Sequence, residues 1–339
     1  MTRSLALKQF ARSIGIDMIG IAPAEFDEEG YKHLKNFIAE KRHASMKWLE
    51  DYPKRVTPES LLPGAKSVIV IAINYYRESP PTPPGEGRIA RYAYGRDYHK
   101  VLKNLLKKLA AFIEQGHGES KSRWRKPFLA TNSSEGGDRG GNQPFPPRTH
   151  LCVDASPILE KAYAVKAGLG FIGKNTTLIT PQFGSFVLLG EIITTEAYEY
   201  DQPLTGTCGT CTRCLDACPT KAIVAPGTLD ANRCISYLTI EHPGEIPEEF
   251  HKPMANLIFG CDICQEVCPY NKAFAKPLQL EAFKETKIAG SSIPLDEILA
   301  IETDEQYLAR FAGSPLMRAK RQKLQRNARV ARGNLFTRP

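Results

Sequence analysis

No apolar run in these 339 residues approaches the roughly 18 needed for a membrane helix. A helical membrane protein is therefore not expected. No basic-then-apolar leader opens the chain: Met1-Thr2-Arg3-Ser4 runs straight into an amphipathic pattern, so a cytoplasmic protein is expected. No G-x-x-x-x-G-K-[ST] phosphate loop occurs, which excludes the P-loop nucleotide-hydrolysing class. Gly168, Gly170 and Gly173 approach a dinucleotide fingerprint, but they follow a helical pattern instead of a strand, so that reading fails its context. Acidic residues are missing altogether from Met317 to Pro339, where eight basic residues stand. With 45 basic and 37 acidic residues in all, the rest of the chain balances, and the whole net charge of +8 sits in that last segment. A basic tail of this kind points to a polyanion partner or to a solvated helix face.

What is present is an ordinary globular balance, 42% apolar and 24% charged, in a chain long enough for two or three domains. Leu7, Phe10, Ala11 and Ile14 share one face, which predicts a helix over 4–15 with Ser4 as cap. Ser67 to Ile73 is short, continuous and β-branched, a buried strand. Asp97 caps a long helix whose stripe runs Tyr98, Val101, Leu102, Leu105, Leu109, Phe112 and Ile113. Ser133 to Arg148 has no periodicity and reads as a surface insertion. A further helix is expected from Ser156-Pro157 to Gly168, and strand from Phe186–Leu189 and Ile192–Thr194.

Nine cysteines are present, and eight fall between Cys208 and Cys268. Without a leader they are expected to be thiols, so clustering points to metal. Cys208, Cys211, Cys214 and Cys218, followed by Pro219, form the C-x2-C-x2-C-x3-C-P run of bacterial ferredoxins. A second motif, Cys261, Cys264, Cys268 and Pro269, lacks one member, which Cys234 can supply. In such runs the fourth cysteine ligates the other cluster. The expected sets are Cys208, Cys211, Cys214 and Cys268 for one [4Fe-4S] cluster, and Cys218, Cys234, Cys261 and Cys264 for the other. Two zinc sites are the competing reading, but three thiolates in C-x2-C-x2-C stand too close in sequence for a zinc ribbon. Two clusters make a wire for single electrons and need an acceptor. Asp97-Tyr98-His99 begins the cobalt-ligating D-x-H-x-x-G motif, but Leu102 replaces its Gly, so a cobalamin here would lack a protein His ligand. Cys152 reads as a buried small hydrophobe. Asp154, just before a helix start, reads on its own as a cap.

Several further segments carry a resemblance that runs from about residue 5 to about residue 330. They are Lys54-Arg55-Val56-Thr57-Pro58, Leu61 to Ser67, Arg91 to His99, Val153-Asp154, Ala167 to Thr176, Arg233 to Thr239 and Gln325-Arg326-Asn327-Ala328. With the cysteine set, the chain resembles the epoxyqueuosine reductases, the iron–sulfur and cobalamin enzymes of the last step of queuosine synthesis in tRNA. The resemblance implies an α+β cobalamin domain like that of reductive dehalogenases over 1–200. It further implies a ferredoxin-like module with two [4Fe-4S] clusters over 201–275 and a short HEAT-like, basic helical segment over 276–339. It makes Asp154 the general acid, with burial expected to raise its pKa. It sets Arg55, Ala90, Asp154, Lys174, Asn175 and Leu178 around the corrin, and Ser236 facing it from the ferredoxin side. His242, Arg318, Arg321 and Arg326 are expected to meet tRNA, with Lys320, Lys323, Arg329 and Arg332 adding charge. The implied partners are the anticodon loop carrying epoxyqueuosine and a low-potential electron donor, with no membrane. A monomer is expected. The insertion at 133–148 is longer than the family pattern, and the chain ends soon after Ala328, where longer members continue into helical repeats. A cobalamin-dependent reductase of a small molecule, dehalogenase-like, is the alternative.

Overall fold

A computed structural model describes residues 2–51, 57–116, 146–284 and 288–336. Arg55 and residues 133–145 of the insertion therefore lie outside the described residues.

The central strand Ser67–Asn74 is buried at every position. Its alternation explains the layering. Ile69, Ile71 and Ile73 join Leu7 of the helix Arg3–Ser13 and Leu102, Leu106 and Leu109 of the helix Tyr98–Glu114. Val68, Val70 and Ala72 face the other way, onto Tyr163 and Ala164 of the helix Glu160–Lys166. Because the side-chain period is two, a slip of one residue would exchange these faces. The sheet has four antiparallel strands in the order Met18–Pro23, Ser67–Asn74, Val187–Thr194 and Thr149–Cys152.

Two local expectations shift. Thr2 caps the first helix, accepting from the Leu5 N–H, because the Ser4 hydroxyl is taken by the Glu199 backbone N–H at 2.9 Å. The single strand expected from Phe186–Leu189 and Ile192–Thr194 is present as Val187–Thr194. Gly190 does not break it: a side chain there would stand 3.2 Å from Leu106, so glycine makes room for the long helix. The helix expected from Ser156 begins only at Glu160, and the preceding residues form the bends that carry Asp154.

A second sheet takes one strand from each expected segment. Glu86–Ile89 pairs in parallel with Leu257–Phe259 and antiparallel with Ser292–Pro294. The C-terminal helix Lys320–Phe336 packs Leu324, Ala328 and Ala331 into the same core as Ile89, Ile258 and Phe259. Between these parts, short helices carry the cysteines, and Pro269 opens one of them directly after Cys268. Among the described residues no helix is long and apolar enough to cross a membrane.

Candidate active site

The cysteines converge as two sets. Cys208, Cys211, Cys214 and Cys268 line one small cavity with Lys174, Asn175 and Pro269. In the other set, Cys261 lies within electrostatic reach of Cys234 and Cys218, and Cys264 within reach of Cys261 and Cys234. Cys264 also feels Cys214, so the two sets are neighbours. These are the groupings expected from the spacing. All eight are free thiols. Among the described residues no three His, Cys, Asp or Glu groups come close enough for a single metal ion. The two neighbouring sets of four thiols, one of them around a small cavity, fit two four-iron clusters. Backbone N–H groups already aim at the sulfurs: Lys174 N donates to Cys208 Sγ at 3.4 Å and Ala222 N to Cys218 Sγ at 3.2 Å. Burial raises the Cys261 thiol to about 12, so it keeps its proton until a metal replaces it.

Asp154 stands beside the first turn of the helix Tyr98–Glu114. Its Oδ2 accepts from the Tyr98 hydroxyl at 2.8 Å and from His99 Nε2 at 3.1 Å. His99 Nδ1 in turn meets Asp97 Oδ1 at 2.7 Å, while Asp97 also caps the helix through the His99 N–H. Both imidazole nitrogens are therefore engaged, and neither is free for cobalt, in line with the missing Gly of the ligating motif. Asp154 has a φ of +53°, a strained left-handed conformation. Its N–H donates to Glu160 Oε1 at 2.5 Å, which fixes that turn and explains the late helix start.

The expected rise in the Asp154 pKa is not found. The hydrogen bond from His99 lowers it, and that from Tyr98 adds to the effect, outweighing burial. Hydrogen bonds to Asp154 and Asp97 raise His99 to about 9. A raised histidine stabilises the fold fully below its unfolded value near 6.5, and that contribution is lost as pH rises through about 9.

Beneath this loop lies a second acidic pair. Glu191 is fully buried, opposite Cys152 in the sheet, and neither carboxyl oxygen has a hydrogen-bond partner among the described residues. The Glu160 carboxyl is its acidic neighbour, and two acids this close favour a protonated form. Burial raises both. Cys152 is buried, as expected. Replacing Glu160 with alanine removes the acceptor from the Asp154 turn. We expect turnover to fall about 10- to 100-fold with cluster content unchanged, because small misplacements of a reacting group cost that much. Iron analysis beside single-turnover rates checks it.

Aromatic rings join the acid to the clusters. Tyr98 meets Tyr92 edge-on at 6.0 Å between ring centres, and Tyr92 meets Phe259 at 6.1 Å, two residues before Cys261. Arg91 N and Nη1 donate to Asp262 Oδ2 at 2.8 and 3.1 Å, between Cys261 and Cys264.

The other expected site residues scatter. Ala90 is buried, its N–H on the Phe259 carbonyl at 2.8 Å. Leu178 is buried in a short hairpin, and Ser236 is half-buried in the helix Ile235–Ile240. Lys174 turns its ammonium to the carbonyls of Gly209 and Cys211, at 2.7 and 3.0 Å, on the cluster loop. Asn175 is buried, and its Nδ2 has no acceptor among the described residues. Gly168 and Gly170 serve close packing: a side chain would stand 2.5 Å from the Gln202 carbonyl or 2.2 Å from that of Ile179.

On the basic segment, Arg318 is exposed, bonded to Glu241 and set over the Trp48 ring at 5.4 Å, within electrostatic reach of Asp154. Arg321 pairs with Asp304 at 2.7 Å. His242 lines an open cavity of about 510 Å³ with Ser45, Arg233 and Tyr237. Arg326 corrects the expectation. It is 4% exposed, and its guanidinium donates to the carbonyls of Leu238, His242 and Gly244. It is a structural clamp, not a phosphate contact. Lys323 likewise caps the carbonyls of Ile240 and Glu241.

Two thiolate sets beside a hydrogen-bonded acid define an iron–sulfur oxidoreductase. Residues 207–271 match the 4Fe-4S double cluster binding domain, and residues 55–125 match the family described as Epoxyqueuosine reductase QueG, DUF1730. The epoxyqueuosine reductase of Synechocystis sp. is 40% identical over 316 residues, covering 92% of this chain and 99% of that protein. The chain belongs to the epoxyqueuosine reductase family. An epoxyqueuosine reductase solved with a tRNA-Tyr epoxyqueuosine-modified tRNA stem loop is 34% identical with a TM-score of 0.83, covering 98% of this chain and 81% of that one. The Bacillus subtilis epoxyqueuosine reductase, solved with its catalytic aspartate loop swung out of the active site, is 33% identical with a TM-score of 0.82, covering 98% of this chain and 81% of that one.

Proposed function

We propose that this protein reduces epoxyqueuosine to queuosine in the anticodon loop of a tRNA, with Asp154 passing a proton to the opening epoxide. The observation that carries the reading is the Asp154 carboxyl, held by two donors and joined to the cysteine sets through three aromatic rings. The reaction takes two electrons and two protons and releases water. Segments 1–200, 201–275 and 276–339 would serve as catalytic, electron-relaying and tRNA-facing parts.

A cobalamin would supply the strongly reducing centre that the clusters charge. The unpartnered Asn175 Nδ2, buried beside one cysteine set, fits an amide-rimmed cofactor such as a corrin. Asn175, Ala90, Leu178 and Ser236 would border it, Lys174 would steady the adjoining cluster loop, and Asp154 would face the substrate. A single-stranded loop yields its modified base with little unpairing. Arg318 and Arg321 would meet phosphates at the mouth, and the His242 cavity would take a neighbouring base.

The test is anaerobic reconstitution with iron, sulfide and cobalamin, then a low-potential reductant and a stem loop carrying epoxyqueuosine. The digested nucleoside loses the mass of one oxygen, and only with cobalamin present. An unchanged nucleoside with clusters and cobalamin bound would transfer the reading to a small-molecule reductase.

The two kinds of arginine separate in the same assay. Arg318→Ala should weaken stem-loop binding about tenfold and flatten its salt dependence, with folding unchanged. Arg326→Met should leave buried carbonyls without donors and cost about 3 kcal/mol in urea unfolding.

A further inference from the structure

We infer that His99 stores the proton that Asp154 delivers, with Asp97 holding the imidazole from behind, so that the three residues act as one donor. This rests on the reading above, in which Asp154 faces the epoxide.

The geometry is a chain of carboxylate, imidazole and carboxylate. Asp97 Oδ1 lies 2.7 Å from Nδ1, and Asp154 Oδ2 lies 3.1 Å from Nε2. An imidazole with a carboxylate at each nitrogen carries a proton on both. Tyr98 donates to the same Asp154 oxygen, which settles that carboxyl in its ionised form. An ionised Asp154 has no proton of its own to give. The nearest mobile proton is on His99 Nε2.

The other charged groups around Asp154 are worse sources. Tyr98 is pushed far above its ordinary value by burial and by the charge of Asp154. Glu160 bonds the Asp154 backbone N–H, and Glu191 lies buried behind it. Arg318 holds its proton permanently and favours the anionic Asp154. Lys100 acts only on Asp97. The His99 side chain is 39% exposed, so water can refill it between turnovers.

The step balances simply. As the epoxide C–O bond takes up the two electrons relayed by the clusters, its oxygen becomes more basic than a carboxylate. The His99 Nε2–H bond breaks as its proton passes to Asp154, and in the same step Asp154 hands a proton on to that oxygen. The oxygen becomes a hydroxyl and His99 becomes neutral. The second C–O bond then breaks as the electron pair left on the neighbouring carbon forms the C=C bond, and a second proton, taken after His99 recharges from solvent, releases the oxygen as water.

The test uses pre-reduced holoenzyme, with clusters and cobalamin, in single turnovers with the epoxyqueuosine stem loop across about pH 5 to about pH 10. Wild type should hold its rate through neutrality and lose it above about pH 9. His99→Gln can still donate to Asp154 and keep it in place, but it has no proton to spare. Its rate near pH 8 should fall about 100-fold and recover about tenfold for each unit of acidification, as Asp154 itself becomes protonated. Asp97→Asn still caps the helix, so it isolates the charge, and it should move the alkaline limb down by about one unit. A His99→Gln rate lowered equally at every pH would reduce His99 to scaffolding and overturn the inference. So would an unchanged profile beside an inactive Asp154→Asn. Wild type that leaves the stem loop unconverted would instead defeat the reading of the reaction.

Discussion

Replacing Asp154 with asparagine abolishes turnover, by about 1000-fold or more, while iron content and stem-loop binding stay at wild-type levels. The size follows from the role proposed for the side chain. General acid catalysis contributes about 10²- to 10⁴-fold, and the oxygen that leaves here is otherwise an alkoxide. The substitution is unusually clean. Asp154 has a φ of +53°, and asparagine is among the few residues that accept that conformation. Its carbonyl can still take the Tyr98 hydroxyl, so the turn stays in place. Only the proton path through the carboxylate is lost. Mass analysis of the nucleoside after one turnover, beside an iron assay, checks both halves. Full activity would remove Asp154 from the mechanism.

The ligand sets predict a second large effect, visible in pairs of substitutions. Cys268→Ser alone should cost roughly half the iron and one of the two cluster signals in electron paramagnetic resonance. It should also cost about 1000-fold or more in turnover, because the wire is cut. Adding Cys214→Ser should cost little further iron, since both thiols border the same cavity. Adding Cys218→Ser should remove the rest, since Cys218 belongs with Cys234 and Cys261. Clusters filled without crossover would make the added Cys214→Ser remove the rest as well.

The cysteine sets were legible in the sequence because cluster ligation depends on short spacings along a loop. The central strand was legible for a similar reason: eight buried residues in a row leave one reading. The proton chain was not. Tyr98 and His99 meet Asp154 across 56 and 55 residues, and only the packing of the long helix against the edge strand joins them. His99 stands in a cobalt-ligating pattern that Leu102 breaks, and nothing in that pattern shows its bond to Asp154. Glu160 and Glu191 were not legible either. Glu191 left a signal, the lone acid inside the apolar run from Phe186 to Thr194. Arg326 was misread because charge counts carry no information about burial. Asp154 was expected to be a weak acid on the strength of burial, but its side chain is exposed and meets two donors.

The sheet formed by Glu86–Ile89, Leu257–Phe259 and Ser292–Pro294 dictates a timetable for synthesis. Its first strand is made about 170 residues before its parallel partner, and such distant pairings form late. The strand at 292–294 leaves the ribosome after all eight clustered thiols have emerged. The cysteine loops are thus fully translated before the sheet that clasps them can close.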